Sequence, residues 1–448
     1  LRSNVDINIT KTTQLTVSVG GYLQEMNKMA ISSDDAFSGA FETPPFIHPA
    51  YYKEDDNIYF PVVNQRVNPY VQVTQKGYAT TSQSKIESLF ALEQDLKFIT
   101  PGLKIKGIFS FDRYSWSGVT RSKTPDLYQP ATQRDENGNL ILNISSYGQQ
   151  FLSTSENNDW GNKATYVELN LNYERTFGKH QVEGLFLYNQ RDYQQFEESY
   201  DIVPYRGNVV PFRRMGIAGR ASYTYDNRYI AEFNFGYNGS ENFAKGYRFG
   251  FFPSVAIGYL LSEEKFMEPY KDTFSKIKFR GSFGLTGNDQ LDGRRFAYQT
   301  TLGEDGTGYD WGTNGQYYHR NSRFEGDFGI PNLTWETVSK TNAGFELGLW
   351  NMIDFQVDYF FEHRYNIFMK RNNIPTSAGF RNTPWANYGK VNNQGIDLAL
   401  NVNKQINKDL YVGFRGSFTY AQNKIIEQDE ALGVMGTNRQ RTGEKVNQ

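Results

Sequence analysis

The residues with which this chain could do chemistry are few. Its four histidines, His48, His180, His319 and His363, are scattered, with no i, i+4 pair and no HExxH motif. There is no cysteine, which removes thiol nucleophiles, zinc ribbons, iron–sulfur ligation and a disulfide scaffold. No GxSxG elbow and no P-loop occur. Asp135-Glu136-Asn137-Gly138-Asn139 resembles the start of a calcium loop, but an EF-hand needs glycine at its sixth position and glutamate at its twelfth. Here Gly138 is fourth and Ser146 is twelfth, so Asn137-Gly138 reads as a type I′ hairpin turn. Gly303-Glu304-Asp305-Gly306-Thr307-Gly308 lacks the strand-to-helix context of a nucleotide site. No catalytic residue, metal ligand or cofactor is expected.

Aromatic residues beside polar ones give a weaker signal of a different kind. Tyr309, Asp310 and Trp311, then Tyr317, Tyr318 and His319, fall in one long polar stretch, and Trp385 and Tyr388 fall in the next. Flat aromatic faces next to carboxylates and amides suit sugar rings, whose C–H faces stack while their hydroxyls take hydrogen bonds. These eight residues are the candidate ligand contacts. The same pattern also fits aromatics that merely pack loops together.

The elements that must position them are strands. Alternation with period two dominates. Val5, Ile7 and Ile9 alternate with polar neighbours, as do Leu103, Ile105, Phe109 and Phe111, and Val167, Leu169, Leu171 and Tyr173. About fourteen such segments recur, most near ten residues long, the length a tilted membrane-crossing strand needs. Their connections alternate between short turns, near 11–13, 99–102, 176–179, 226–228, 350–352 and 405–409, and long loops, near 25–83, 113–163, 193–214, 286–338 and 364–393. That asymmetry is the mark of a transmembrane β-barrel. One member of the turn set, 261–275, is long, and its Ser262-Glu263-Glu264-Lys265-Phe266 reads as a capped helical turn. Phe177, Tyr225, Tyr229 and Trp350 flank turns as an interfacial girdle would.

Composition agrees. Hydrophobic residues make up only 38%, yet aromatics reach 16%, and no run of about eighteen apolar residues marks a membrane helix. Charge is balanced, with 47 basic and 49 acidic side chains giving −2, which argues against nucleic acid as a partner. The polar ends read as cuts through a longer chain, with further strands expected beyond Gln448. The fold expected is all-β: a transmembrane antiparallel barrel, with residues 1–448 as one partial barrel domain in the outer membrane of a Gram-negative cell.

Several segments resemble the SusC/RagA family of TonB-dependent outer-membrane transporters of Bacteroidetes. They are Arg248-Phe249-Gly250-Phe251-Phe252-Pro253 through Tyr259 with Leu261-Ser262-Glu263-Glu264-Lys265-Phe266-Met267, the run Ile277 to Asp289, Ile330-Pro331-Asn332-Leu333-Thr334-Trp335-Glu336, Asn387-Tyr388-Gly389-Lys390-Val391-Asn392, and Arg441-Thr442-Gly443-Glu444. The resemblance implies a barrel of twenty-two strands closed by others, and a plug and TonB box outside this sequence. It also implies a SusD-like surface lipoprotein as partner, TonB as energy source, and oligosaccharides or peptides as cargo. In these motifs Gly250, Gly258, Gly281, Gly284 and Gly287 are expected where strands bend or pack closely. Two other readings remain open: a siderophore- or cobalamin-type TonB-dependent receptor, and a β-rich surface adhesin that binds glycan without transport.

Overall fold

The computed structural model describes residues 1–448 except 45, 47, 64–65, 157–158, 198–209, 314–317 and 447–448. Fourteen strands follow one another in a single antiparallel path. They are β1 (Arg2–Asn8), β2 (Thr13–Met29), β3 (Gly77–Asp95), β4 (Leu103–Ser122), β5 (Trp160–Phe177), β6 (His180–Glu197), β7 (Phe212–Tyr225), β8 (Tyr229–Ser240), β9 (Phe249–Leu260), β10 (Phe274–Asn288), β11 (Glu336–Leu349), β12 (Ile353–Lys370), β13 (Trp385–Gln405) and β14 (Tyr411–Glu427). Each pairs with the next, so chain order is sheet order, and a short strand, Ser153–Glu156, pairs with the far end of β4.

Strand number matches the alternation, but strand length does not. After β1 the strands run from 12 to 21 residues. The apolar alternation marks only the middle of each, because the backbone ladder continues beyond the lipid-facing band, where neither face has to be apolar. Among the turns, Tyr225–Arg228 and Leu349–Met352 are closed by 3.0 and 2.9 Å bonds, and both central residues of each have positive φ. That is the geometry whose twist suits a tight hairpin.

The register gives the sheet two unlike faces. Ile7, Leu15, Leu92, Gly107, Leu169, Tyr188, Ile217, Tyr237 and Phe251 lie opposite one another across β1 to β9. Tyr229, Tyr259, Phe279, Phe345, Val357, Leu398 and Phe418 do the same across β8 to β14. This apolar face is the open one: Ile257 is 69% exposed and Phe279 48%. The polar face is the sheltered one, with Asp358 at 7% and Asn170 at 8%. A soluble protein buries the opposite set. The arrangement is that of a barrel wall with lipid outside and a polar lumen inside.

Two local expectations need correction. The Asp135–Asn139 turn does join two strands, Leu127–Arg134 and Leu140–Ser146, but not as type I′. Only Gly138 has positive φ, and the Asp135 carboxylate instead accepts the N–H groups of Asn137 (2.9 Å) and Asn139 (2.7 Å), which holds a type I turn with glycine after it. The 261–275 connection is two 3₁₀ turns, Leu261–Glu263 and Lys265–Tyr270, with no side-chain cap. Ser262 is buried, and the Glu264 carboxylate is drawn to Arg228 (2.5 Å) and Tyr229 (2.6 Å) of the neighbouring β7–β8 hairpin and to Tyr259 (3.2 Å) at the end of β9.

Candidate functional site

The lumen wall is built by carboxylates, amides and cations at alternate positions of the strands. Because side chains two apart share a face, they bond along a strand as well as across it. On β5 the Asn170 amide donates to Glu168 (2.8 Å) and Asn172 donates to Asn170 (2.9 Å). Arg220 meets Glu232 at 2.7 Å, and Asn234 donates to the same carboxylate at 2.7 Å. Glu346 gathers Lys276 (2.5 Å) and Arg280 (3.3 Å), and Arg280 also reaches Asp358 at 2.6 Å. Lys340 and Asn393 share Glu362 at 3.0 and 3.2 Å. The result is a wettable surface with fixed donors and acceptors, over which a polar solute can exchange partners.

At the long-loop end a small apolar core closes the wall. Phe243, Leu291, Leu333, Trp335 and Phe368 are buried together. Phe243 and Phe252 pack on Trp335 with ring centres 5.2 and 5.4 Å apart. Gly250 and Gly287 make room for the Phe252 ring, since a Cβ on either would lie 2.4 or 2.0 Å from it. Gly284 is tight too, but Gly258 and Gly281 are not: at Gly281 the nearest atom to a Cβ would be 3.9 Å away. Two of the motifs quoted above meet here, as Asn387 accepts from the Thr334 N–H (2.9 Å) and donates to the Thr334 carbonyl (2.9 Å). Arg295 ties three segments together, donating to the carbonyls of Val210 (2.6 Å) and Pro211 (3.0 Å) and to Glu241 (2.7 Å). None of these cross-loop bonds could be read from one segment alone.

From the loop between β10 and β11 rises a separate two-stranded hairpin, Leu302–Trp311 with Tyr318–Glu325. It carries five of the eight candidate contacts. Its register sets Trp311 opposite Tyr318, Asp310 opposite His319 and Tyr309 opposite Arg320. Alternation then separates two faces. Tyr309, Trp311 and Tyr318 share one, all well exposed, with the Tyr309 and Trp311 rings 5.1 Å apart and Arg320 4.9 Å above the Tyr318 ring. Asp310 and His319 share the other. Nδ1 of His319 lies 2.7 Å from Asp310 and Nε2 lies 3.0 Å from Asn321, so both ring nitrogens meet acceptors. The Asp310 carboxylate accordingly raises the His319 pKa above its ordinary value. The hairpin base is fixed to the next loop by Arg381, 3.5 Å from the Phe324 ring centre, and by Phe328 against Phe380 at 5.5 Å.

The remaining candidates lie elsewhere. Tyr317 falls outside the described residues. Trp385 begins β13 and is stacked on Phe368 at 4.9 Å, with Arg294 4.6 Å from its ring, as part of the apolar core. Tyr388 lies on the same strand beneath Arg371, 4.7 Å away. The Gly303–Gly308 stretch is part of the hairpin strand, not a phosphate loop. Among the described residues no three histidine, aspartate or glutamate side chains gather where they could share a metal ion.

Residues 31–448 match the family model of the TonB-dependent receptor-like β-barrel. The chain is 24% identical to TonB-dependent receptor P3 of Formosa agariphila over 457 aligned residues, covering 95% of this chain and 42% of that protein. It is 29% identical over 210 residues to TonB-dependent receptor SusC of Bacteroides thetaiotaomicron, covering 46% of this chain and 20% of that one. Among solved structures it is similar to the RagAB peptide importer in its closed-closed state, with a TM-score of 0.66, 16% identity, and coverage of 99% of this chain and 48% of the other. The chain thus spans less than half the length of these relatives.

Proposed function

This chain belongs to the TonB-dependent receptor β-barrel family of the outer membrane, and from that premise we propose that it forms much of the lumen wall of an energy-coupled importer of oligosaccharides, or of peptides. One observation carries the proposal: the two-faced sheet, apolar and open outside, polar and hydrogen-bonded inside, which gives a polar solute a path through lipid. The hairpin with Tyr309, Trp311 and Tyr318 on one exposed face supports the oligosaccharide form of it, because these rings, with Tyr309 and Trp311 inclined at 68° to each other, offer apolar faces for a sugar ring to stack on beside the Arg320 guanidinium. Energy would come from TonB through regions outside this chain. Capture would be shared with a SusD-like surface lipoprotein, of the kind with which SusC-type receptors pair.

The test uses the full-length protein. Mild detergent extraction should recover it with a tightly held lipoprotein, and Trp311→Ala with Tyr318→Ala should lower oligosaccharide binding by the complex at least tenfold while leaving the complex intact. Recovery without a lipoprotein, or unchanged binding of both oligosaccharides and peptides by the double variant, would overturn the respective parts of the proposal.

A further inference from the structure

The apolar outer face is not evenly filled. Across β8 to β13 one row of outward positions reads Ala231, Ile257, Gly281, Ala343, Tyr359 and Ile396. The row on its turn side contains Tyr259, Phe279 and Phe345, and the row on its loop side contains Val255 and Phe283. Large side chains therefore stand on both sides of a Gly281–Ala343 pair that supplies almost no volume. What remains between them is a groove of about 700 Å³, with Gly281 and Ala343 as floor and Ile257, Phe279, Phe345 and Tyr359 as walls. The Phe279 and Phe345 rings, 5.1 Å apart, form its firm turn-side wall. Gly281 is not glycine for want of room, since a Cβ there would make only ordinary contacts.

We propose that this groove is a seat for an acyl chain of a membrane phospholipid. Apart from Arg280, whose guanidinium is engaged by Glu346 and Asp358 of the lumen face, its lining is aliphatic or aromatic, so water filling it would find few hydrogen-bond partners. It opens on the face that meets the hydrocarbon of the bilayer, and it begins beside Tyr229 and Tyr259, whose stacked rings, 5.1 Å apart, stand at the turn end of the wall. Amphipathic rings at such a depth mark the membrane interface. A chain entering there and lying along the groove belongs to a lipid of the turn-side leaflet. The proposal rests on the orientation of the wall in the membrane and not on what the barrel carries, so it can fail while the transport proposal stands, and the reverse.

The experiment fills the groove. Full-length protein is reconstituted in vesicles of palmitoyl-oleoyl-phosphatidylethanolamine, transferred to mild detergent, and weighed intact by native mass spectrometry. Ala343→Phe and Gly281→Val occupy the floor. Gly281→Ala is the gentler variant should either fold poorly, and Ala221→Phe adds the same bulk on the outer face opposite Phe233, outside the groove. The expected result is one retained phospholipid on the parent and on Ala221→Phe, at least a fivefold lower bound fraction for the two filling variants, and an intermediate value for Gly281→Ala. Equal retention by all variants would overturn the proposal. So would equal loss in Ala221→Phe, which would mean a general annular effect, and so would a species with the mass of a peptide, and not of a phospholipid, that the parent retains and the two filling variants lose.

Discussion

Val255 offers the sharpest test of which face of the wall meets lipid. It lies near the middle of β9, opposite Phe233 on one neighbour and Phe283 on the other, and its side chain is exposed. If that exposure is to hydrocarbon, Val255→Arg places a cation near the bilayer midplane at a cost of about 2–4 kcal/mol. That corresponds to roughly a 30- to 700-fold shift in the folding equilibrium, taking about 1.4 kcal/mol per factor of ten. If the exposure were to water, an exposed Val→Arg change would stay within about 0.5 kcal/mol. Ser222→Arg is the matched control. It faces the lumen between Glu183 and Glu232, where a new cation finds carboxylates on both sides. The assay is urea unfolding and refolding of the full-length protein in phospholipid vesicles, followed by tryptophan fluorescence, with the slope checked so that only the midpoint moves. The orientation is refuted if Val255→Arg lies within 0.5 kcal/mol of the parent, or if Ser222→Arg costs as much.

Other consequences follow from single contacts. Trp385→Ala removes a ring stacked in the apolar core and should cost about 2 kcal/mol or more, whereas Trp311→Ala, on the exposed hairpin, should change stability by less than about 0.5 kcal/mol, both read from the same unfolding curves. His319 should titrate above its ordinary value of about 6.5, and Asp310→Asn should bring it down, as followed by NMR of the imidazole carbons; equal midpoints would show that the contact does not form in solution. Hydrogen bonds from Tyr229 and Arg228 hold the Glu264 carboxyl below its ordinary value, so its contribution to stability is complete above about pH 4.3 and is lost as pH falls through the lowered value. Glu264→Gln should therefore lose less thermal stability than the parent when detergent solutions are taken from pH 6 to pH 3, and superimposed profiles would rule this out.

The wall was legible because its signal is local and repeated. Val167, Leu169 and Leu171 declare a face within five residues, and the register only has to line up such faces. The extensions of the strands past the lipid band were not legible, since there the ladder persists while both faces become polar. The hairpin was missed as a hairpin for a related reason. Leu302–Trp311 carries glycines at 303, 306 and 308 and no apolar alternation, so nothing in it distinguishes a strand from a loop. Its register with Tyr318–Glu325, which gives the Asp310–His319 contact and the ring-bearing face, is a property of two segments together.

The same limit explains why residue type alone misassigns roles. Trp311 and Trp385 look alike in the sequence, each beside polar residues in a long connection. Trp311 meets the Tyr309 ring, stands opposite Tyr318 and is 60% exposed, while Trp385 begins a strand that runs against β12 and so meets Phe368. Gly287 and Gly281 look equally alike, six residues apart in one strand. Phe252 crosses over the first, and a side chain there would collide with its ring; the second faces outward beside Ala343, and its missing side chain leaves a space in the membrane surface. In both pairs the role is fixed by a neighbour on another strand, Tyr318 for Trp311, Phe368 for Trp385, Phe252 for Gly287 and Ala343 for Gly281, between 7 and 62 residues away. A substitution scan read without the register would therefore class Gly281 with Gly287 as a packing glycine. The open space at its Cβ predicts the reverse: Gly281→Ala should leave the folded wall intact, whereas Gly287→Ala should destabilise it.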